Sequence, residues 1–369
     1  MRVLHVAPFY PPAPARGGMA RAAEGLCRAL AAAGHEVTVF TAASDVASED
    51  LRNGVRVRRF AGPRWAAERL VPFGRGIAAA IGAEAGRFDL AHLHGHRSGI
   101  VRQAAAALRR AGIAWVLQPH GTFPHHGQRR VAKALWDAAG GMEALAQARR
   151  LLALSDAEVR DLPKAPRSIV VGSGVTSLGV TSGHAAGRGQ RVVFVGSEAP
   201  QKKAAALIPL LRGLPGAALD LVGPITARFV AGFGADAARV VRHGPLDDLA
   251  LASVLESAAV LVHPAVGEAF GMAPFEACLA GTPAVVAGGH GCGEWFARAG
   301  GCVVPPDDPA ALLGAVGERL RNEDRRTAEA AAVAAFARRE LTWPQVAVRV
   351  GSIYDAVASG RAARAVLAG

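Results

Sequence analysis

The chain is short of lysine, aromatic residues and cysteine and has no long apolar run, and each shortage excludes something. Lysine occurs only at Lys133, Lys164, Lys202 and Lys203, so the formal charge of +12 is carried almost wholly by arginine. Those arginines are scattered among alanines. No stretch interleaves basic with aromatic residues, which speaks against a nucleic-acid surface and leaves smaller phosphate-bearing partners open. Cys27, Cys278, Cys292 and Cys302 show neither C-x-x-C nor a local histidine spacing that would complete a zinc site, so reduced, buried thiols are expected. No uninterrupted apolar span approaches about 20 residues. The opening MRVLHVAPFY lacks a charged leader, a long apolar stretch and a cleavage site. Cytoplasmic residence is the expectation.

What is present is the texture of an α/β protein. With 369 residues, 51% of them hydrophobic, the chain suggests two domains at about 100–200 residues each. Short apolar runs bounded by Gly, Pro and Asp alternate with alanine-rich helical stretches, as in parallel β-α-β units. The spacing predicts strands at Val3–Ala7, Glu36–Thr41, Val55–Phe60, Leu90–His94, Trp115–Gln118, Leu151–Leu154 and Ile169–Val171, with helices at Ala20–Ala33, Ser98–Ala111 and Gln128–Ala148. The small, polar Thr181–Gln190 reads as a linker. Beyond it, strands are predicted at Arg191–Val195, Ala218–Val222, Val240–His243, Val260–His263, Ala284–Ala287 and Cys302–Val304. From Pro309 the chain reads as helical, interrupted at Thr342–Pro344. The domains are placed at 1–180 and 191–345, with 346–369 a helix able to cross back to the first. Each half opens with a strand and a glycine-containing turn. Two similar folds facing one another are therefore expected, with ligands beyond the carboxyl ends of the strands.

The most informative segment is HPAVGEAFGMAPFEACLAGTPAVV, in which Glu268 and Glu276 stand eight positions apart, about two helical turns. It resembles the E-x7-E motif of the retaining GT-B glycosyltransferases of family four. The likeness extends along most of the chain: Gly17 and Gly18 after the first strand, Asp89, His92 and His94 in a D-x-x-H-x-H strand end, His120–Gly121, Lys202, and the run Ala280–Pro283. The resemblance implies a GT-B fold, two Rossmann-like domains across a cleft, and transfer of a sugar from a nucleotide-sugar donor. No cofactor or metal is implied. UDP-sugars are favoured over GDP-sugars, and the acceptor is unspecified: a glycan, a lipid-linked intermediate or a small natural product.

Residue by residue, the resemblance assigns Glu276 to the donor ribose and Glu268 to hydroxyls of the donor sugar, since a carboxylate accepts hydrogen bonds from adjacent hydroxyls. Ala269, Phe270, Gly271 and Met272, at the start of a helix, would hold diphosphate or sugar oxygens on free amides. Lys202 would neutralise the departing diphosphate, with Lys203 sharing that task or simply solvated. Gly17 and Gly18 would approach the donor phosphates or acceptor from the opposite wall, or form a tight turn only. His120 would orient donor and acceptor; Arg21 and His94 are acceptor-side candidates. Base contacts are expected at His243, Gly244 and Leu246. Ser197 departs from the family, which usually has arginine there, so a charge is supplied from elsewhere or turnover is weakened.

Two other readings follow from the same residues: a donor-binding protein without turnover, motivated by Ser197, and a sugar-nucleotide epimerase that needs no acceptor. The stretch Gln128–Trp136, with Arg129, Arg130, Lys133, Leu135 and Trp136, could touch an anionic membrane peripherally, or form a solvated basic face.

Overall fold

The computed structural model describes residues 1–12, 17–43, 46–63, 72–123, 130–163, 167–178 and 189–360. Lys164, Gln128, Arg129, most of the expected linker (181–188) and the end of the C-terminal segment (361–369) lie outside the described residues. The chain forms two compact units, Met1–Gly174 together with the segment from Trp343 onward, and Val175–Thr342.

The first unit is built on an eight-stranded sheet. Its strands are β1 (Arg2–Ala7), β2 (Glu36–Ala43), β3 (Ser48–Arg52), β4 (Val55–Ala61), β5 (Leu90–His94), β6 (Trp115–Gln118), β7 (Arg150–Ala153) and β8 (Ser168–Val170), in the order β3-β4-β2-β1-β5-β6-β7-β8. All neighbours are parallel except β3 with β4. Apolar strands such as β1 are buried on both faces, as parallel strands covered by helices must be. Leu4 and Val6 enter one core and Val3 and Ala7 the other. Helix Gly17–Ala32 covers the second core with Ala23, Leu26, Cys27 and Leu30, a stripe at helical spacing. The order reverses between β1 and β5, which makes their carboxyl ends the switch point of this sheet.

The second unit has a six-stranded parallel sheet of β9 (Arg191–Val195), β10 (Ala218–Val222), β11 (Val240–Gly244), β12 (Val260–His263), β13 (Ala284–Ala287) and β14 (Cys302–Val304), ordered β11-β10-β9-β12-β13-β14. Here the switch point lies between β9 and β12.

Three elements differ from the sequence reading. Strand β3, the polar SEDLR, offers no apolar alternation; it pairs antiparallel to β4, supported by Arg56–Glu49 at 2.6 Å. The helix expected over Gln128–Ala148 is broken: helices Arg130–Trp136 and Glu143–Ala146 flank a turn where Gly140 has φ +85°. Pro344 begins a helix rather than ending one. It is the second residue of Trp343–Ala358, where its missing N–H would be unpaired anyway. That helix joins the first unit from Trp343, three residues before the expected boundary. The Trp343 ring packs so closely on Gly25 and Gly174 that a Cβ at either would come within 2.2 Å of it. Val346, Val350, Ile353 and Tyr354 continue the contact into the core.

Candidate functional site

In the second unit the chain turns after β9 and β12 bring Lys202 and Glu268 together on either side of the switch point. Their side chains form an ion pair, about three-quarters buried. Burial alone would raise the Glu268 carboxyl; Lys202, with His263 and His290, holds it below the ordinary glutamate value. His263, the last residue of β12, lies beneath this pair with Nε2 3.9 Å from Glu268 Oε2, and burial pushes it down to about 3. His290 caps helix Gly291–Arg298 and bonds the carbonyl of Ala265 at 2.8 Å. The two loops are tied by the Val266 amide donating to Gln201 O, 2.8 Å.

Glu268 is not on the helix that carries Glu276. It sits in the loop before it, and the helix runs Met272–Leu279 with Gly271 as its N-cap at φ +74°. A Cβ at Gly271 would lie 2.6 Å from Cys292 Sγ, so only glycine makes this turn. Met272 and Ala273 are half-buried at the helix start, as is Ala269 before it. The Phe270 ring is buried and stacks on Phe275, centroids 5.5 Å apart. Glu276 is also buried, at 1% exposure.

Lys203 does not join Lys202. It takes a left-handed conformation and pairs with Asp307 at 2.8 Å on the surface. Ser197 is half-buried and its hydroxyl accepts weakly from the Ala199 amide, 3.4 Å. The expected base loop is anchored from below: buried Asp220 on β10 accepts from Arg191 at 2.6 and 2.9 Å and pairs with His243 Nε2 at 2.7 Å. The Gly244 carbonyl accepts from the Gly223 amide, 2.8 Å, and Leu246 is half-buried. Gly223 is a residue the sequence reading missed. At φ +122° a Cβ there would lie 2.0 Å from the Gly196 carbonyl, so the turns after β9 and β10 approach in a way only glycine allows.

In the first unit Gly17 and Gly18 do not precede the first helix; they are its first two residues. Arg21, one turn on, is half-buried. His120 follows β6, half-buried, with φ +55°, and Gly121 continues at φ +69°. Two successive left-handed residues need an anchor, and Glu158 supplies it. Its buried carboxylate accepts from the Gly121 amide and, at 2.7 Å, from the Leu154 amide. Burial still raises that carboxyl to about 7. His94, expected beside the acceptor, is completely buried, and its ring reaches outward only through His120, 2.9 Å away. Burial lowers both rings, His120 to about 3. Asp220 and His290 carried no sequence signal, because each acts through a partner distant in the chain, and Glu158 holds the His120–Gly121 turn from 37 residues away.

Of the basic stretch, helix Arg130–Trp136 exposes Val131 and Leu135, whereas Trp136 packs on Gly141 beneath the Arg102 guanidinium. Among the described residues no helix is long and apolar enough to cross a membrane. Cys27, Cys278 and Cys292 are free and buried, and Cys302 is half-buried.

Two family descriptions match consecutive parts of the chain: "Glycosyl transferase 4-like domain" over residues 17–168 and "Glycosyl transferases group 1" over 189–322. A curated relative, phosphatidyl-myo-inositol mannosyltransferase of Mycobacterium leprae, is 34% identical over 180 residues, 46% of this chain; the match spans about half (48%) of that relative's length. Among solved structures, sucrose-phosphate synthase from Thermosynechococcus elongatus superposes over 97% of this chain and 99% of its own (TM-score 0.81, 20% identity). HepE of Anabaena, solved with UDP and glucose, covers 96% and 100% (TM-score 0.72, 16% identity). WaaG, a glycosyltransferase involved in lipopolysaccharide biosynthesis, covers 98% and 100% (TM-score 0.67, 17% identity). The parallel sheets, the paired lysine and glutamate at the β9/β12 switch and these matches lead to one conclusion: the chain belongs to the GT-B glycosyltransferases of the family-four type.

Proposed function

We propose that the protein is a retaining, metal-independent glycosyltransferase that moves a sugar from a UDP-sugar to an acceptor hydroxyl. The observation that carries this reading is the Lys202–Glu268 pair at the carboxyl ends of β9 and β12, a cation for a diphosphate beside an acceptor for sugar hydroxyls. On donor binding Lys202 turns to the diphosphate and stabilises the charge that grows as the bond from C1 to the phosphate oxygen breaks. The acceptor oxygen attacks C1 from the face the nucleotide leaves, and its proton passes to a phosphate oxygen, so no side chain serves as base. Glu268 and the Gly271–Met272 amides hold the sugar, Glu276 the ribose, and His120 orients the reacting groups. HepE of Anabaena, solved with UDP and with UDP-glucose, supports uracil over guanine.

For the acceptor, a lipid-borne molecule is favoured, with cytoplasmic, membrane-peripheral action. The curated relative's name specifies phosphatidyl-myo-inositol, and exposed Val131 and Leu135 flank Lys133 on a short basic helix.

The test is a panel of UDP- and GDP-sugars assayed for nucleotide release with and without lipid acceptors, with the anomeric configuration of the product read by NMR. Acceptor-dependent UDP release with retained configuration supports the reading. Saturable binding with no release points to a donor-binding protein, and a changed sugar nucleotide without acceptor to an epimerase.

A further inference from the structure

Two histidines lie against the Lys202–Glu268 pair, and they differ in how their ring nitrogens are used. His290 spends both: Nε2 is 2.8 Å from the Ala265 carbonyl, which can only accept, and Nδ1 accepts from the Gly293 amide at 3.4 Å. His263 does not. Its Nε2 is buried and has no hydrogen-bond partner among the described residues; it lies 3.9 Å from Glu268 Oε2, beyond hydrogen-bond reach. A buried polar atom without a partner is uncommon in a native fold and calls for a reason.

The reason lies in the carboxylate. Oε2 is the oxygen that accepts from Lys202 Nζ, and the ammonium holds it away from the ring. Glu268 is ionised at neutral pH, its carboxyl held below the ordinary glutamate value, and an ionised carboxylate can only accept. The His263 ring is neutral there, since burial pushes it down to about 3, so it carries one N–H and one lone pair. A lone pair aimed at the carboxylate is repelled and an N–H is attracted, so this neighbour favours the proton on Nε2. A closure of about 1 Å would turn the 3.9 Å contact into a hydrogen bond.

Donor binding creates the need for it. When Lys202 turns to the diphosphate, Glu268 loses its cation while its side chain stays about three-quarters buried, and a buried charge deprived of one partner is costly. The other groups at hand are committed: His290 as described, and Cys292, a weak donor, to the Gly271 carbonyl at 3.9 Å. Of these three, His263 is unspent. It is also the last residue of β12, a strand buried along its whole length, so its ring is held by the sheet while the lysine side chain is exchanged.

We propose that His263 is a positioning residue that takes over Glu268 Oε2 as Lys202 leaves it for the donor diphosphate, keeping Oε1 for the sugar hydroxyls. This rests on the donor role given above to the Lys202–Glu268 pair.

Isothermal titration of UDP onto wild type, His263→Leu, Glu268→Gln and the double variant closes a mutant cycle. Leucine keeps apolar bulk at the position and has no N–H. His263→Leu is expected to raise the UDP dissociation constant about tenfold or more, the loss of a hydrogen bond to a charged group. In the Glu268→Gln background the same substitution should change it by less than about twofold, since no charge there needs a partner. A ring that only fills space would lower the urea midpoint and shift affinity equally in both backgrounds; equal shifts, or none, overturn the proposal and leave the proposed function standing. The wild-type protein gives a second reading that needs no variant. On saturation with UDP the Nε2–H proton of His263 is expected to move downfield in proton–nitrogen NMR as it closes on the carboxylate, and a resonance that stays in place overturns the proposal even where His263→Leu does not fold. A wild-type protein that binds no UDP refutes the proposed function, and this inference with it.

Discussion

Because Lys202 is paired with Glu268, removing the carboxylate is expected to tighten binding of UDP alone while weakening recognition of UDP-sugars. The side chains are 26% and 23% exposed. Exposed pairs contribute at most about 1 kcal/mol, and losing one partner of a fully buried pair costs about 3–5 kcal/mol. A pair of this intermediate burial is therefore assigned about 1–2 kcal/mol, a factor of about five to thirty in an equilibrium constant. That is the interaction a diphosphate must displace. In Glu268→Gln the competition is gone, and the UDP dissociation constant should fall about five- to thirtyfold. UDP-sugar should not share the gain, since the amide donates where the carboxylate accepted. Isothermal titration with UDP and with a non-hydrolysed UDP-sugar analogue, on wild type and variant at the same ionic strength, measures both. Weaker or unchanged UDP binding in Glu268→Gln would show that Lys202 does not turn from Glu268 to the diphosphate, and the role given to the pair would fall.

Lys202→Met should weaken UDP binding about tenfold or more, the loss of one charged hydrogen bond, with the melting of the first unit unchanged. Gly271→Ala forces a left-handed alanine with its Cβ 2.6 Å from Cys292 Sγ and should cost about 2 kcal/mol in urea unfolding; adding Cys292→Ala should recover part of that, and no recovery would place the strain elsewhere. Glu158→Gln puts an N–H where one of two backbone amides needs an acceptor, which should cost about 2 kcal/mol and loosen the His120–Gly121 turn. Four histidines of the first unit, His5, His92, His94 and His120, also set a pH dependence. Their folded values lie below the unfolded 6.5, so below that pH the unfolded chain takes up protons the folded one refuses, and stability drops as pH falls toward 3. Glu158, raised to about 7, works in the opposite sense between pH 4.5 and 7, but it is one group against four. For these five groups of the first unit a net loss of about 4 kcal/mol per pH unit near pH 5.5 is expected, read from urea midpoints at pH 7 and 5.5; equal midpoints would mean the rings are not held neutral.

The sequence by itself determined the α/β class and nearly every parallel strand, because buried parallel strands are short apolar runs whose ends are marked by Gly, Pro and Asp. It also supplied the family through Glu268, Glu276, Lys202 and His120. What it could not supply was which charges neutralise one another. Lys202 pairing with Glu268 while its neighbour Lys203 turns to Asp307, and His94 closed off behind His120, are settled by contacts between residues far apart in the chain. The buried histidines of the first unit show the same limit most plainly, since His5, His94 and Tyr354, linked in turn by hydrogen bonds, come from β1, β5 and the C-terminal helix. No periodicity in a linear text marks a hydrogen bond across 349 residues; only the packed core, by excluding water, makes each of those nitrogens depend on the next.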